Sequence, residues 1–155
     1  MMCMPADLTF LMGKFPAVLP GGLRYARNHM WCRTEGGRHR FGFTAYAVRL
    51  MQDVYFLDWS VGDGDAVHLL QEIGHIETSK AESDLFAPIA GTVGRFNREL
   101  LKDPTPINLD LYGAGWLFEM AGDAAGLLTV TEYHQFLAEN WENTQRMIKG
   151  KINEE

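Results

Sequence analysis

The chain has 155 residues, of which 46% are hydrophobic and 22% charged, and this is the composition of an ordinary soluble protein of one domain. Its formal net charge of -6, without a local basic stripe, argues against nucleic-acid binding because a phosphate backbone would be repelled. No segment has the apolar length that spans a bilayer and the N-terminus does not resemble a signal peptide, so we expect a cytoplasmic protein without membrane contact.

The first 22 residues have an irregular pattern. They are rich in methionine, contain three prolines and end in Gly21-Gly22. This composition predicts an irregular N-terminal leader over residues 1–22, with room for one helical turn at Asp7–Met12.

From Leu23 the pattern changes to short apolar runs separated by glycine-containing turns. Short helical turns are predicted at Tyr46–Met51 and Phe96–Lys102. Short strands at this spacing predict a β domain over residues 23–128, built as an antiparallel sandwich or barrel. The predicted strands are Leu23–Cys32, His39–Thr44, Asp53–Trp59, Ala66–Thr78, Asp84–Pro88, Thr92–Phe96 and Trp116–Met120.

The last segment, residues 129–155, predicts a helix and a charged tail. Its apolar residues recur near helical spacing from Val130 onward, and Thr129 or Thr131 is a candidate N-cap. Gly150 is the expected end of the helix. The apolar positions are Tyr133, Phe136, Leu137, Trp141, Met147 and Ile148.

The stretch from Gly74 to Asn97, GHIETSKAESDLFAPIAGTVGRFN, contains the most informative residues. An apolar strand leads into a polar run, and a second strand leaves it, so Lys80 is predicted at an exposed hairpin turn. A lysine there has a flexible stem and an accessible amine, which suits the attachment of an acyl group. A solvated lysine at an ordinary turn would have the same local pattern.

The same stretch resembles the lipoylation loop of glycine cleavage H proteins, in which a Glu-Ser-x-Lys-Ala pattern is followed by Ser-Asp. Further segments also resemble that family, in the same order along the chain. The matching residues are Glu77, Ser79, Lys80, Ala81, Ser83, Asp84, Phe86, Pro88, Gly91 and Val93, together with Leu23–Tyr25, His29–Trp31, Gly42–Ala47, Pro106–Asn108 and Tyr112–Leu117.

The resemblance implies a flattened β-sandwich of the biotinyl/lipoyl-carrier type, a barrel-sandwich hybrid, with a C-terminal helix. It also implies a carrier without catalytic residues of its own, bearing lipoate in amide linkage on Lys80. Glu77, Ser79 and Ala81 would form the loop recognised by a lipoate ligase or lipoyl transferase. His29 and Met30 would line a cleft for the lipoyl group.

Two pathways remain open for such a carrier. Met30 replaces the acidic residue of the family's His-Glu-Trp motif, and a thioether is a poor partner for an amine. The chain also continues beyond the segment where H proteins commonly end. Both features favour the lipoate-binding proteins of sulfur oxidation, which serve a heterodisulfide-reductase-like complex. The alternative is a carrier of the aminomethyl intermediate for the P, T and L proteins of glycine cleavage.

Other classes of function have less support. An unlipoylated binding or regulatory module is a third hypothesis, and Lys80 with its flanking residues argues against it. None of the five histidines has a paired metal-binding spacing, so no metal site is predicted. Cys32 lies in an apolar strand and is expected to be inert.

Overall fold

The computed structural model describes the backbone of residues 5–153 and the side chains of residues 5–146. Within these limits it has eleven strands and four helices. In chain order they are β1 (Leu8–Met12), β2 (Phe15–Leu19), β3 (Arg24–Tyr25), β4 (Met30–Glu35), β5 (Arg38–Phe43), α1 (Ala45–Met51), β6 (Val54–Trp59), β7 (Ala66–Val67), β8 (Glu72–Thr78), β9 (Glu82–Phe86), β10 (Gly91–Phe96), α2 (Glu99–Lys102), α3 (Pro106–Leu109), β11 (Phe118–Gly122) and α4 (Val130–Asn153).

Two antiparallel sheets form the centre of the fold. One has six strands in the order β3-β4-β5-β11-β10-β7, and the other has three in the order β6-β8-β9. Alternate residues of both sheets point inward and share one main core, as expected for a β-sandwich. The predicted mainly β fold is confirmed. The main core includes Met30, Cys32, Phe41, Leu57, Ile73, Ile76, Leu85, Val93, Phe118 and Met120.

Two strands predicted as continuous are interrupted. The run Leu23–Cys32 turns between β3 and β4, where His29 has a φ of 69°, and Ala66–Thr78 turns before β8, where Leu70 has a φ of 63°. Left-handed backbone at residues other than glycine is uncommon, so the apolar pattern contains no sign of either turn. These predictions were therefore wrong in their continuity.

The predicted irregular leader was also wrong for its described part. Strands β1 and β2 pair as a hairpin, with Gly13 in the left-handed region at the turn, and there is no helical turn at Asp7–Met12. Pro16 is compatible with this hairpin because both strands of a two-stranded sheet are edge strands. Residues 1–4, including Cys3, lie outside the described residues.

The hairpin and α4 cover a second core on the outer side of the six-stranded sheet. Tyr133 stacks on Tyr25 with ring centroids 4.6 Å apart, and Trp141 contacts Phe10 at 5.7 Å. The other members of this second core include Met12, Leu19, Leu23, Trp31, Tyr46, Leu128, Val130 and Leu137.

The N-terminus of α4 confirms one of the two predicted caps. The hydroxyl of Thr129 accepts from the N–H of Glu132 at 3.2 Å, and the Glu132 carboxylate accepts from the N–H of Thr129 at 2.9 Å. The helix continues past Gly150 to Asn153, so the predicted end was wrong. The side chains of Met147 and Ile148 lie outside the described residues. None of the described helices is long and apolar enough to cross a membrane.

Candidate functional site

Lys80 lies in the tight turn that joins β8 to β9. The N–H of Thr78 donates to the carbonyl of Ala81 at 2.9 Å, so only Ser79 and Lys80 stand beyond the last paired residues. Both are exposed. No acidic side chain among residues 5–146 forms an ion pair with the Lys80 ammonium. The Lys80 amine is therefore accessible from solvent at a defined position.

Thr78 and Asp53 hold this turn in place. The Thr78 hydroxyl accepts from the backbone N–H groups of Lys80 and Ala81, each at 3.2 Å. Ser79 donates its N–H to the Asp53 carbonyl at 2.9 Å, and its hydroxyl accepts from the Asp53 N–H at 3.1 Å. Sequence reasoning missed both anchors, although a threonine beside a turn is a known signal for such side-chain bonds.

The outer side of the three-stranded sheet forms an acidic face beside the turn, which we define as Asp58, Glu77, Glu82 and Asp84 around His75. Cross-strand pairing places His75 between Asp58 and Asp84 and pairs Glu77 with Glu82. The His75 ring lies 3.5 Å from both Glu77 and Asp84.

Three members of the acidic face lie at metal-ligand spacing. Ligand atoms of His75, Glu77 and Glu82 lie within 4.8 Å of one another. All three are partly or fully exposed, and such exposed groups commonly occur together without an ion. The absence of a metal site stays a prediction.

The structure groups Glu77, Ser79 and Ala81 with Lys80, but it places His29 and Met30 elsewhere. The segment before β4 meets β9 at its far end, where the Asn28 amide donates to the Phe86 carbonyl at 3.0 Å. From Phe86 to Lys80 is six residues, or roughly 20 Å of extended strand. A role of His29 and Met30 in a lipoyl cleft stays a prediction.

His29 is half-buried among aromatic side chains. Its Nδ1 is hydrogen-bonded to the Tyr133 hydroxyl at 2.9 Å, and its ring lies 4.8 Å from that of Tyr46 and 6.0 Å from that of Phe136. Burial lowers the pKa of His29 to about 4, because a charged imidazolium would lose its hydration. His29 is therefore neutral at neutral pH.

Met30 and Cys32 lie in the main core. Met30 is 2% exposed and pairs across the sheet with Phe43. Burial raises the pKa of the Cys32 thiol to about 11, so the reactive thiolate is scarce at neutral pH. This agrees with the expectation that Cys32 is inert.

Comparisons with known proteins give one family. The family model for the glycine cleavage H-protein matches residues 23–140. The glycine cleavage system H protein of Carboxydothermus hydrogenoformans is 34% identical over 130 residues, covering 81% of this chain and 99% of that protein. The one from Psychrobacter cryohalolentis is 40% identical over 124 residues, covering 77% and 98%.

A solved structure agrees with these matches. The crystal structure of a glycine cleavage system H protein from Mycobacterium marinum aligns with a TM-score of 0.68 and 32% identity. The alignment covers 79% of this chain and 98% of that one. The family match runs from β3 into the first half of α4 and includes the Lys80 turn. This chain belongs to the glycine cleavage H-protein family.

Proposed function

We propose that this protein is a lipoyl carrier of the glycine cleavage system, with lipoate joined by an amide bond to Nζ of Lys80. The observation that carries the proposal is the exposed lysine at a two-residue turn, within a chain that matches the H-protein family over residues 23–140. When bound, the lipoyl group would supply a dithiol that holds the cargo and exchanges electrons.

The residues around Lys80 fit attachment of that group. The amine is solvent-exposed and has no partner among the described acidic side chains, so a modifying enzyme can reach it. The bonds from Thr78 and Asp53 fix the turn backbone while the lysine side chain stays free. Amide formation removes the charge of Lys80 and leaves its flexible stem as the tether.

The resemblance to H proteins implies a division of labour. A lipoate ligase or lipoyl transferase would read Glu77, Ser79 and Ala81 around the lysine. The P, T and L proteins of glycine cleavage would then act on the arm in turn, and this chain would contribute no catalytic residue.

The test is lipoylation in cells. We expect co-expression with a lipoate ligase and free lipoate to add the mass of one lipoyl group to the peptide containing Lys80. Lys80→Arg should abolish the addition, and Lys102→Arg, which changes another exposed lysine, should leave it intact. An unmodified Lys80 beside normally lipoylated carriers of the same cells would refute the proposal and favour an unlipoylated binding module.

The preference for sulfur oxidation finds no support, and the glycine cleavage alternative replaces it. The relatives described above are named as glycine cleavage H proteins. The two sequence features behind that preference also have packing explanations. Met30 is buried in the main core and offers no open face to a cargo, while Trp141 of the C-terminal extension packs on Phe10 and Tyr46.

The pathway can be tested on the lipoylated protein. With glycine and the decarboxylase of the glycine cleavage system, the peptide that carries lipoylated Lys80 should gain mass and carbon dioxide should be released. A gain of mass with a persulfide donor, and none with glycine, would reverse the choice of pathway without affecting the carrier role.

A further inference from the structure

Four arginines gather on the outer side of the six-stranded sheet, beyond the area that the second core covers. We define the arginine face as Arg33, Arg38, Arg40 and Arg95 around Glu119. Strand register pairs Arg33 with Arg40 and Arg40 with Glu119, and Arg95 approaches Glu119 from β10. Residues from four strands thus meet in one row.

This face has an excess of positive charge. The Glu119 carboxylate, only 9% exposed, accepts from Arg40 Nε at 3.0 Å and pairs with Arg40 Nη2 at 2.9 Å. Its other oxygen lies 3.3 Å from Arg95 Nε and 3.9 Å from Arg38 Nη1. Even with Glu35, which pairs across the strands with Arg38, two carboxylates face four guanidinium groups. The excess is local, because the whole chain has a charge of -6.

Three of the four arginines lie over aromatic rings. The guanidinium of Arg40 lies 4.1 Å from the ring centroid of Trp116, and that of Arg95 lies 5.2 Å from the same ring. Arg33 lies over Trp31 at 5.1 Å and donates to the Tyr112 carbonyl at 3.1 Å. Side chains held in this way lose little further freedom when they bind a partner.

Donors remain available to a partner. The side chains of Arg38 and Arg95 are 74% and 57% exposed, and each guanidinium has more N–H groups than Glu119 can accept from. Planar guanidinium groups bind carboxylates in pairs of parallel hydrogen bonds.

We propose that the arginine face is a docking surface for a carboxylate-rich surface of a partner protein. A protein partner fits better than a nucleic acid, because the net charge of -6 would repel a polyanion long enough to extend past these few arginines. The arginine and acidic faces point in opposite directions, since both sheets turn their inner sides to the main core. A partner held on the arginine face therefore leaves the Lys80 turn open.

Binding of a short fluorescein-labelled glutamate peptide, no longer than the arginine face, tests the proposal at low ionic strength. We expect saturable binding that weakens about tenfold in Arg38→Gln/Arg95→Gln, since each exposed ion pair contributes modestly. The control Arg24→Gln/Arg27→Gln removes the same charge from exposed arginines outside the face and should change the dissociation constant less than about twofold.

Three results would overturn the proposal. These are no saturable binding by the unchanged protein, equal weakening in both double variants, and tighter binding of oligothymidylate or phosphatidylserine vesicles than of the peptide. The last result would assign the face to phosphates. If Arg38→Gln/Arg95→Gln lacks a thermal unfolding transition, the binding of the peptide is compared with that of Arg38→Gln alone. This variant is chosen because the Arg38 guanidinium lies 3.9 Å from Glu119, so its loss should disturb the fold least.

Discussion

Acid should destabilise this fold through His29, and the effect can be separated from that of other groups. The His29 ring is packed against Tyr46 and Phe136, and Tyr133 holds its Nδ1. Burial lowers the pKa of His29 from 6.5 to about 4. Below pH 6.5 the unfolded chain therefore takes up a proton at this residue, whereas the folded protein does so only near pH 4.

The direction and magnitude of the pH effect follow from the difference between these two pKa values. The contribution of His29 to the free energy of unfolding is fully present above pH 6.5 and is lost progressively as the pH falls to about 4. At about pH 5 the loss spans about 1.5 pH units at 1.36 kcal/mol each, or about 2 kcal/mol.

Urea unfolding at about pH 8 and about pH 5 measures the loss, with His29→Asn as the comparison. Asparagine does not titrate and tolerates the left-handed φ of 69° at this position. We expect the drop in unfolding free energy between the two pH values to be about 2 kcal/mol smaller in His29→Asn than in the unchanged protein. His68→Asn, at an exposed position, should keep the full drop. Parallel drops in all three proteins would refute the lowered pKa of His29.

Three further substitutions test other parts of the structure. Thr78→Val removes the acceptor of two turn amides and should slow lipoylation severalfold in a mass-spectrometric time course, with about 1 kcal/mol lost in urea unfolding. Trp141→Ala removes the contact with Phe10 and should cost about 2 kcal/mol and expose residues 8–19 to protease; unchanged proteolysis would contradict that packing. Gly42→Ala places a Cβ 2.5 Å from the Trp31 ring and should cost about 1–3 kcal/mol, so an unchanged melting temperature would count against this contact.

Much of the β fold could be predicted because alternating apolar residues identify the face of a strand. The predicted strands His39–Thr44 and Thr92–Phe96 nearly coincide with β5 and β10. The turns at His29 and Leu70 could not be predicted, because their left-handed backbone has no glycine to signal it. The apolar pattern alone therefore predicts one continuous strand where the fold has two segments with a turn between them.

The candidate site and the arginine face differ in how far sequence can reveal them. Lys80 and its neighbours are consecutive, so their arrangement at the turn is local and the motif is readable directly. The arginines come from β4, β5 and β10, and only strand pairing brings them together around Glu119. An overall acidic composition conceals such a local excess of positive charge.

The two segments outside the family match depend on each other. The H-protein match covers residues 23–140, whereas the β1–β2 hairpin precedes it and the last turns of α4 follow it. The Phe10 ring contacts Trp141, which lies past the match, at 5.7 Å. The hairpin also contacts α4 within the match, where the Phe10 ring lies 5.5 Å from that of His134 and the His134 ring is hydrogen-bonded to the Thr9 carbonyl at 3.2 Å. The hairpin supplies the apolar surface that the end of the helix needs, and a two-stranded hairpin is marginal on its own. Loss of the hairpin should therefore fray the end of α4, whereas loss of the end of α4 should only loosen the hairpin, because the contacts of His134 remain. In both cases the β-sandwich, with its separate main core, should keep the Lys80 turn.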